Sequence, residues 1–446
     1  MGKLLFLEVN TEPHWALASV GPAFIASYLR ENGHEAVFHN IPFDSAFSKT
    51  LENIERENPD LIGISITSRQ WQAASQLAIE IKKHLAIPII AGGLHASFCS
   101  EEILASPGFD FACIGEGEQA TLELMNALSN NDLDQPIKNI RAKHQAMPTL
   151  RPAIPDLDNL PFMARDMLGE QYGVYHISTQ RGCPFPCTYC AAQQVSQLYP
   201  DGYKDYGRRR SVSNVLQEIK SLRQNGPLNY IIFLDDTFTL HHDWLIEFLK
   251  RYQHEIKIPF SVNARAETIS RNLLQHLADA GCMHIIYGVE SGSEQVRKNI
   301  LSRNISNQHL RDAFQWTRDL NILVTANYML GLPGEKPEDI EQTLNLHTQL
   351  KPDDFGYFVF YPFPGTALYS LCKEKGYLPD NYLELPANHH ESILNLPDLS
   401  KSDISYYYNR FTELQIHDRL ARSAMNATQT QREDLIADIK QTAEKA

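Results

Sequence analysis

Strand-like and helix-like runs alternate along most of this chain, and that alternation limits the fold more than any single motif does. In residues 1–130, KLLFLEV (3–9), EAVFHN (35–40), DLIGISIT (60–67), IPIIAGG (87–93) and FDFACIGEGE (109–118) read as strands. Helical runs lie between or after them: GPAFIASYLRENGHE (21–35), with Phe24, Ile25, Tyr28 and Leu29 at helical spacing, then QWQAASQLAIEIKKHL (70–85) and QATLELMNAL (119–128). Repeated strand–helix pairs call for an α/β fold, a doubly wound parallel sheet with helices on both faces. Ligands of such sheets settle at the carboxyl ends of the strands.

The 40 basic and 54 acidic residues give a net charge of −14, which argues against a nucleic-acid partner or an anionic-membrane surface. The run YGRRR (206–210) is a local exception and reads as a solvated basic edge. No apolar run approaches the ~20 residues of a transmembrane segment, and MGKLLFLEVN is too short for a signal peptide. The chain is read as cytoplasmic, where thiols stay reduced. Cys99, Cys113, Cys282 and Cys372 are scattered and read as small buried hydrophobes.

Three strand ends carry suggestive loops: SITS with Ser65 and Thr67, GGLHAS with Gly92, Gly93 and His95, and GEGE with Gly115, Glu116 and Gly117. Glycine there lets backbone approach a bulky ligand, or merely makes a tight turn. No G-x-G-x-x-G follows the first strand, so an ordinary dinucleotide site is not indicated. The order of these segments resembles the cobalamin-binding domain found in front of many radical SAM enzymes. The resemblance implies that the eight loop residues just named contact cobalamin. D-x-H-x-x-G is missing, since neither His14 nor His95 has the flanking Asp and Gly. Cobalamin without a cobalt-ligating histidine from that motif is therefore expected. A domain that binds no corrinoid and only shapes the cleft is the alternative.

Residues 131–170 lose periodicity, and prolines recur at Pro136, Pro148, Pro152, Pro155 and Pro161. They read as a linker. A strand then runs into QRGCPFPCTYCAAQ, which places Cys183, Cys187 and Cys190 in the spacing C-x3-C-x2-C. Structural zinc would need a fourth ligand, such as His176 or a distant cysteine. An iron–sulfur cluster fits best, because three thiolates leave one iron of a [4Fe-4S] cubane without a protein ligand. S-adenosylmethionine can chelate that iron, and an electron from the cluster then yields a 5′-deoxyadenosyl radical. With Tyr189 before the last cysteine, the motif resembles that of the radical SAM superfamily. The resemblance implies that the three cysteines hold the cluster and that Tyr189 lies near the adenine.

Six strand runs with intervening helices fill residues 171–370 and suit a partial (β/α)6 barrel. At their carboxyl ends stand Asp235 and Asp236, Arg265, Glu290 and Ser291, then Gly331 and Gly334 of GLPGE. Asp236, Arg265, Glu290, Ser291, Gly331 and Gly334 are the expected S-adenosylmethionine contacts, the two glycines by resemblance. Asp235 and Asp236 equally suit a helix-capping pair. Tyr357, Tyr361 and Phe363 suit a substrate pocket or plain packing. Residues 371–446 read as a helical C-terminal region, in which Tyr406 to Tyr408 are placed to cap the barrel's open side.

Cluster, S-adenosylmethionine and cobalamin together imply C-methylation of a small-molecule or peptide intermediate, with an external electron donor of flavodoxin or ferredoxin type. The same family implies radical cyclisation or rearrangement as an alternative. A non-enzymatic metal or redox module is the reading from a different class.

Overall fold

The computed structural model describes residues 1–12, 19–199, 207–224, 226–382, 385 and 388–426. His14, Tyr206 and the tail 427–446 lie outside the described residues. The first apolar run is buried on both faces, as only a central parallel strand can be. This strand, β1 (Lys3–Val9), pairs in parallel with β2 (Glu35–Ile41) and β3 (Leu61–Ser65). β4 (Ile89–Gly92) and β5 (Phe111–Cys113) extend the sheet, and β6 (Ile140–Ala142) closes it antiparallel, in the order β2-β1-β3-β4-β5-β6. The strand order reverses between β1 and β3, so a crevice opens at their carboxyl ends.

Three local expectations change. The segment read as linker supplies β6 before it crosses to the next domain. A helix at Phe47–Glu57 gave little sequence signal, because only Thr50 and Ile54 of its residues are buried. GGLHAS is a helix, Gly93–Phe98, followed by a second at Ser100–Ala105.

The second sheet holds β7 (Val174–Ile177), β10 (Tyr230–Phe233), β11 (Phe260–Ala264), β12 (Cys282–Glu290), β13 (Leu323–Leu330) and β14 (Asp354–Val359). These six strands pair in parallel and in chain order. Among the described residues β14 does not return to β7, so the barrel stays open. Its core gathers Phe233, Phe238, Phe248, Tyr252 and Phe260, whose rings meet edge-on or tilted. A short antiparallel ribbon, β8 (Gln180–Arg181) with β9 (Arg208–Arg209), lies at the mouth.

The C-terminal helix Lys401–Asn426 covers the edge strand β14. Phe411 stacks on Tyr357 at 5.6 Å, and Gln415 Nε2 donates to the Phe355 carbonyl at 2.6 Å. Covering an edge in this way blocks stray strand pairing. Of the three consecutive tyrosines, Tyr407 is buried, Tyr408 packs on Tyr357, and Tyr406 is exposed.

Candidate functional site

The cysteine loop is pinned from two sides. Thr188 N–H donates to the Leu301 carbonyl at 3.3 Å and Leu368 N–H donates to the Thr188 carbonyl at 3.0 Å. Cys183 and Cys187 are buried and Cys190 is half-buried; all three are free thiols. Burial, opposed by backbone and Thr237 hydrogen bonds, pushes Cys183 up; burial with the charge of Asp236 pushes Cys190 up to about 12. Such thiols ionise only if a cation joins them. His176, the candidate fourth zinc ligand, is instead turned to Glu170 at 3.6 Å. The donor set fits a cubane cluster with one free iron.

Beside the cysteines runs a chain of alternating charges. Arg265 Nη1 donates to Cys187 Sγ at 2.8 Å, and its Nη2 to Glu267 Oε1 at 2.6 Å. Arg303 bridges Glu267 at 3.4 Å and Glu290 at 2.8 Å, and Tyr189 donates to Glu290 Oε1 at 3.0 Å. Burial raises the Glu290 carboxyl more than Arg303 lowers it. For Glu267 the balance is reversed, and Arg303 with Arg265 hold it low against burial. Four expected contacts thus converge near the cysteines: Tyr189, Arg265 and Glu290 by hydrogen bonds, and Asp236 by its charge on Cys183 and Cys190. Asp235 is turned away, accepting the Thr179 and Gln180 amides at 2.8 and 3.1 Å. Ser291 is fully buried against Thr343 at 3.4 Å and does not join the charge chain. Gly331 and Gly334 take φ of +78° and +86°, and Glu335 ties the loop by accepting the Gly331 amide at 2.7 Å.

Glu267 and Arg303 gave no sequence signal, since neither lies in a motif. Nor did the arginine run read correctly. Arg208 and Arg210 are buried and Arg209 half-buried, so the segment is no solvated edge. Arg208 pairs with Glu116 at 2.7 Å, Arg209 stacks on Trp244 at 4.2 Å, and Arg210 pairs with Glu218 at 2.5 Å. Arg208 and Arg210 are thus neutralised by carboxylates, while Arg209 is held by the Trp244 face and by the Gln180 and Phe238 oxygens.

Between the two sheets lies a cavity of about 400 Å³. Ser65, Gly92, Gly93, Gly115, Glu116 and Gly117 line it from the N-terminal sheet; Ser178, Gln180, Arg181, Tyr199 and Arg208 line it from the barrel side. A Cβ on Gly93 (φ +87°) would stand 2.8 Å from the Ile66 carbonyl oxygen, and one on Gly115 (φ +78°) 2.9 Å from the Tyr199 hydroxyl. The cradle therefore needs bare backbone. Six of the eight expected cobalamin contacts meet there. Thr67 and His95 do not: Thr67 Oγ1 donates to Gln70 Oε1 at 2.9 Å, and His95 points toward Ser68 and Glu102. Glycine-lined and joined to the switch crevice, the cavity suits part of a corrinoid, such as its nucleotide tail.

Arg181 and Arg208 clamp the two domains. Arg181 reaches Glu116 at 3.1 Å and Glu118 at 2.5 Å. Burial alone would raise the Glu116 carboxyl, but Arg208 and Arg181 outweigh it and hold the acid charged. Arg181 stands two residues before Cys183, so the glycine-lined cavity and the cysteine loop share one stretch of chain.

Comparison with known proteins agrees with this geometry. Residues 11–125 match the B12 binding domain, and residues 177–347 match the radical SAM superfamily. An uncharacterized methyltransferase of Pyrococcus horikoshii is 27% identical over 371 residues, 79% of this chain and 78% of that protein. An anaerobic magnesium-protoporphyrin IX monomethyl ester cyclase of Rubrivivax gelatinosus is 25% identical over 387 residues, 82% of this chain and 67% of that protein. The solved structure of the cobalamin-dependent S-adenosylmethionine radical enzyme OxsB, with aqua-cobalamin and S-adenosylmethionine bound, superposes with a TM-score of 0.75 at 17% identity. That likeness, which is one of fold, covers 100% of this chain and 71% of OxsB. The two domain models imply a [4Fe-4S] cluster, S-adenosylmethionine and cobalamin as the chain's cofactors. With a B12 binding domain ahead of an open barrel and a three-cysteine loop, the chain joins the B12 binding and radical SAM domains in one polypeptide, and the relatives it resembles include a protein named a methyltransferase.

Proposed function

We propose that the protein methylates a carbon of a small-molecule or peptide intermediate. The observation that carries the reading is the shared segment Ser178–Cys190. It forms one wall of the glycine-lined cavity and then supplies all three candidate cluster cysteines, which supports a site where both reagents serve one substrate. When bound, the cluster and S-adenosylmethionine supply a carbon radical and cobalamin supplies the methyl group.

The chain's own residues bind, orient and exclude water. Cys183, Cys187 and Cys190 would hold the cluster. Glu290, kept in place by Tyr189 and Arg303, offers a buried carboxyl oxygen to an ammonium or ribose hydroxyl. Arg265, lying 3.9 Å over the Phe185 ring, offers a guanidinium to a carboxylate. The Arg181 and Arg208 clamp keeps solvent from the seam between the domains. The seven described cysteines are all free, as a reducing cytoplasm would keep them, and the reductant would be a flavodoxin or ferredoxin type donor. Among the described residues no helix is long and apolar enough to cross a membrane.

The test is anaerobic incubation of the cobalamin-loaded protein with methyl-labelled S-adenosylmethionine, reductant and a small-molecule extract. The expected outcome is a labelled metabolite heavier by one methyl group. A product that lacks label and has lost hydrogen would support cyclisation instead, a reading favoured by the likeness to the Rubrivivax cyclase. Absence of 5′-deoxyadenosine would sink both.

A further inference from the structure

We propose that His95, Cys99 and Glu102 form a separate site for one divalent transition-metal ion, with zinc the best match. The Gly93–Phe98 and Ser100–Ala105 helices meet at Cys99, and that junction brings the three side chains together. Their ligand atoms all lie within 4.8 Å of one another, and among the described residues no other His, Cys, Asp or Glu group does this.

The second observation is an orphan nitrogen. His95 is 3% exposed, and its Nε2 is buried without a hydrogen-bond partner. That atom faces Glu102 Oε2 at 3.7 Å, too far for a hydrogen bond. Leaving it unpaired is costly, and a bound ion would satisfy it. The other ring nitrogen, Nδ1, lies 3.2 Å from the Ser68 hydroxyl. A proton on Nδ1 shared with Ser68 leaves Nε2 as the free lone pair, the arrangement seen for metal-bound imidazole with an outer-shell partner. The Trp71 ring packs tilted against the His95 imidazole at 5.1 Å and helps to fix it.

One imidazole, one thiolate and one carboxylate make a borderline-soft N, S, O donor set, which suits zinc over calcium or magnesium. Three protein ligands leave a fourth position. His95 also lines a cavity of about 280 Å³, with Ser68 and Trp71 on one side and Tyr361 and Tyr382 on the other. Water or a ligand in that cavity would complete the coordination. Of the four scattered cysteines, Cys99 alone is not fully buried, which sets it apart from the three that pack as hydrophobes. The cavity beside His95 shares no lining residue with the glycine-lined one, and the site uses none of the cluster cysteines.

The test uses full-length protein carrying its cluster, exposed to cadmium as a spectroscopic probe and to zinc for stoichiometry. Cadmium should give a thiolate charge-transfer band that survives replacement of Cys183, Cys187 and Cys190 by Ala but vanishes in Cys99→Ala. One zinc per chain should be retained after gel filtration. Cys99→Ser and Glu102→Gln should each weaken zinc binding by more than about tenfold, the loss expected even for an outer-shell partner, with iron content unchanged. Zinc retained equally by the parent and Cys99→Ser, or no cadmium band in the triple variant, would overturn the site. Glu102→Gln keeps side-chain volume, so it decides the matter if the cysteine variants fold poorly.

Discussion

Glu290 is a non-glycine residue at φ +69°, placed where β12 and β13 slip register. Such strain costs about 1–3 kcal/mol and persists only where neighbours hold it, here Tyr189 and Arg303. Cys187 has a plainer role. Cys187→Ala should abolish cluster assembly, read as loss of iron and of visible absorption, while the folded content by circular dichroism stays close to the parent's. Glu335 gives a pH prediction. Burial pushes its carboxyl up to about 8 from an ordinary 4.5, and one oxygen has no partner. The folded state therefore keeps a proton that the unfolded state has lost. That stabilisation is full below about 4.5 and is lost as pH rises through about 8. Glu335→Gln should match the parent in thermal stability at pH 5 and exceed it at pH 8, by at most about 4 kcal/mol. An unchanged difference between the two pH values would count against a protonated Glu335. The three cysteines were legible in the sequence because their spacing is contiguous and one chemistry explains all of them. Arg303 was not, because its partners Glu290 and Glu267 lie 13 and 36 residues away.

The glycine turns carry the element-scale prediction. Gly93→Ala puts a Cβ 2.8 Å from the Ile66 carbonyl at a φ that side chains avoid, whereas Gly92 has open space and an ordinary backbone. Gly93→Ala should cost about 1–3 kcal/mol and lower cobalamin uptake. Gly92→Ala should leave the melting temperature nearly unchanged, and equal losses for the two would contradict the cradle. Both sheets were legible because β1, β3 and most barrel strands are apolar runs set between helical ones, and β13 stops at Gly331. The helix Phe47–Glu57 was hidden by its polarity, and β6 by its length of three residues. The loop GGLHAS did not read as a helix because its two glycines are weak helix formers, while tertiary packing buries His95, Ala96 and Ser97.

At the scale of the whole molecule the two domains are joined by buried charge. Glu116 accepts from both Arg181 and Arg208, and removing one member of such a network strands the others, at a cost of about 3–5 kcal/mol. Glu116→Ala should split a single calorimetric transition into two and slow corrinoid retention. One unsplit transition at the parent's temperature would show that the clamp is not what couples the domains. The sequence could not reveal this coupling, because arginines that neutralise a carboxylate from another domain look the same in one dimension as arginines facing water.

The cavity between the sheets has a back wall made late in the chain. Tyr199 accepts the Glu116 amide at 3.1 Å, and Arg208 holds the Glu116 carboxylate. During translation the first sheet emerges long before either residue leaves the ribosome. A nascent N-terminal half therefore presents an unfinished pocket, whose back wall closes only after the chain beyond Arg208 has been made and folded back.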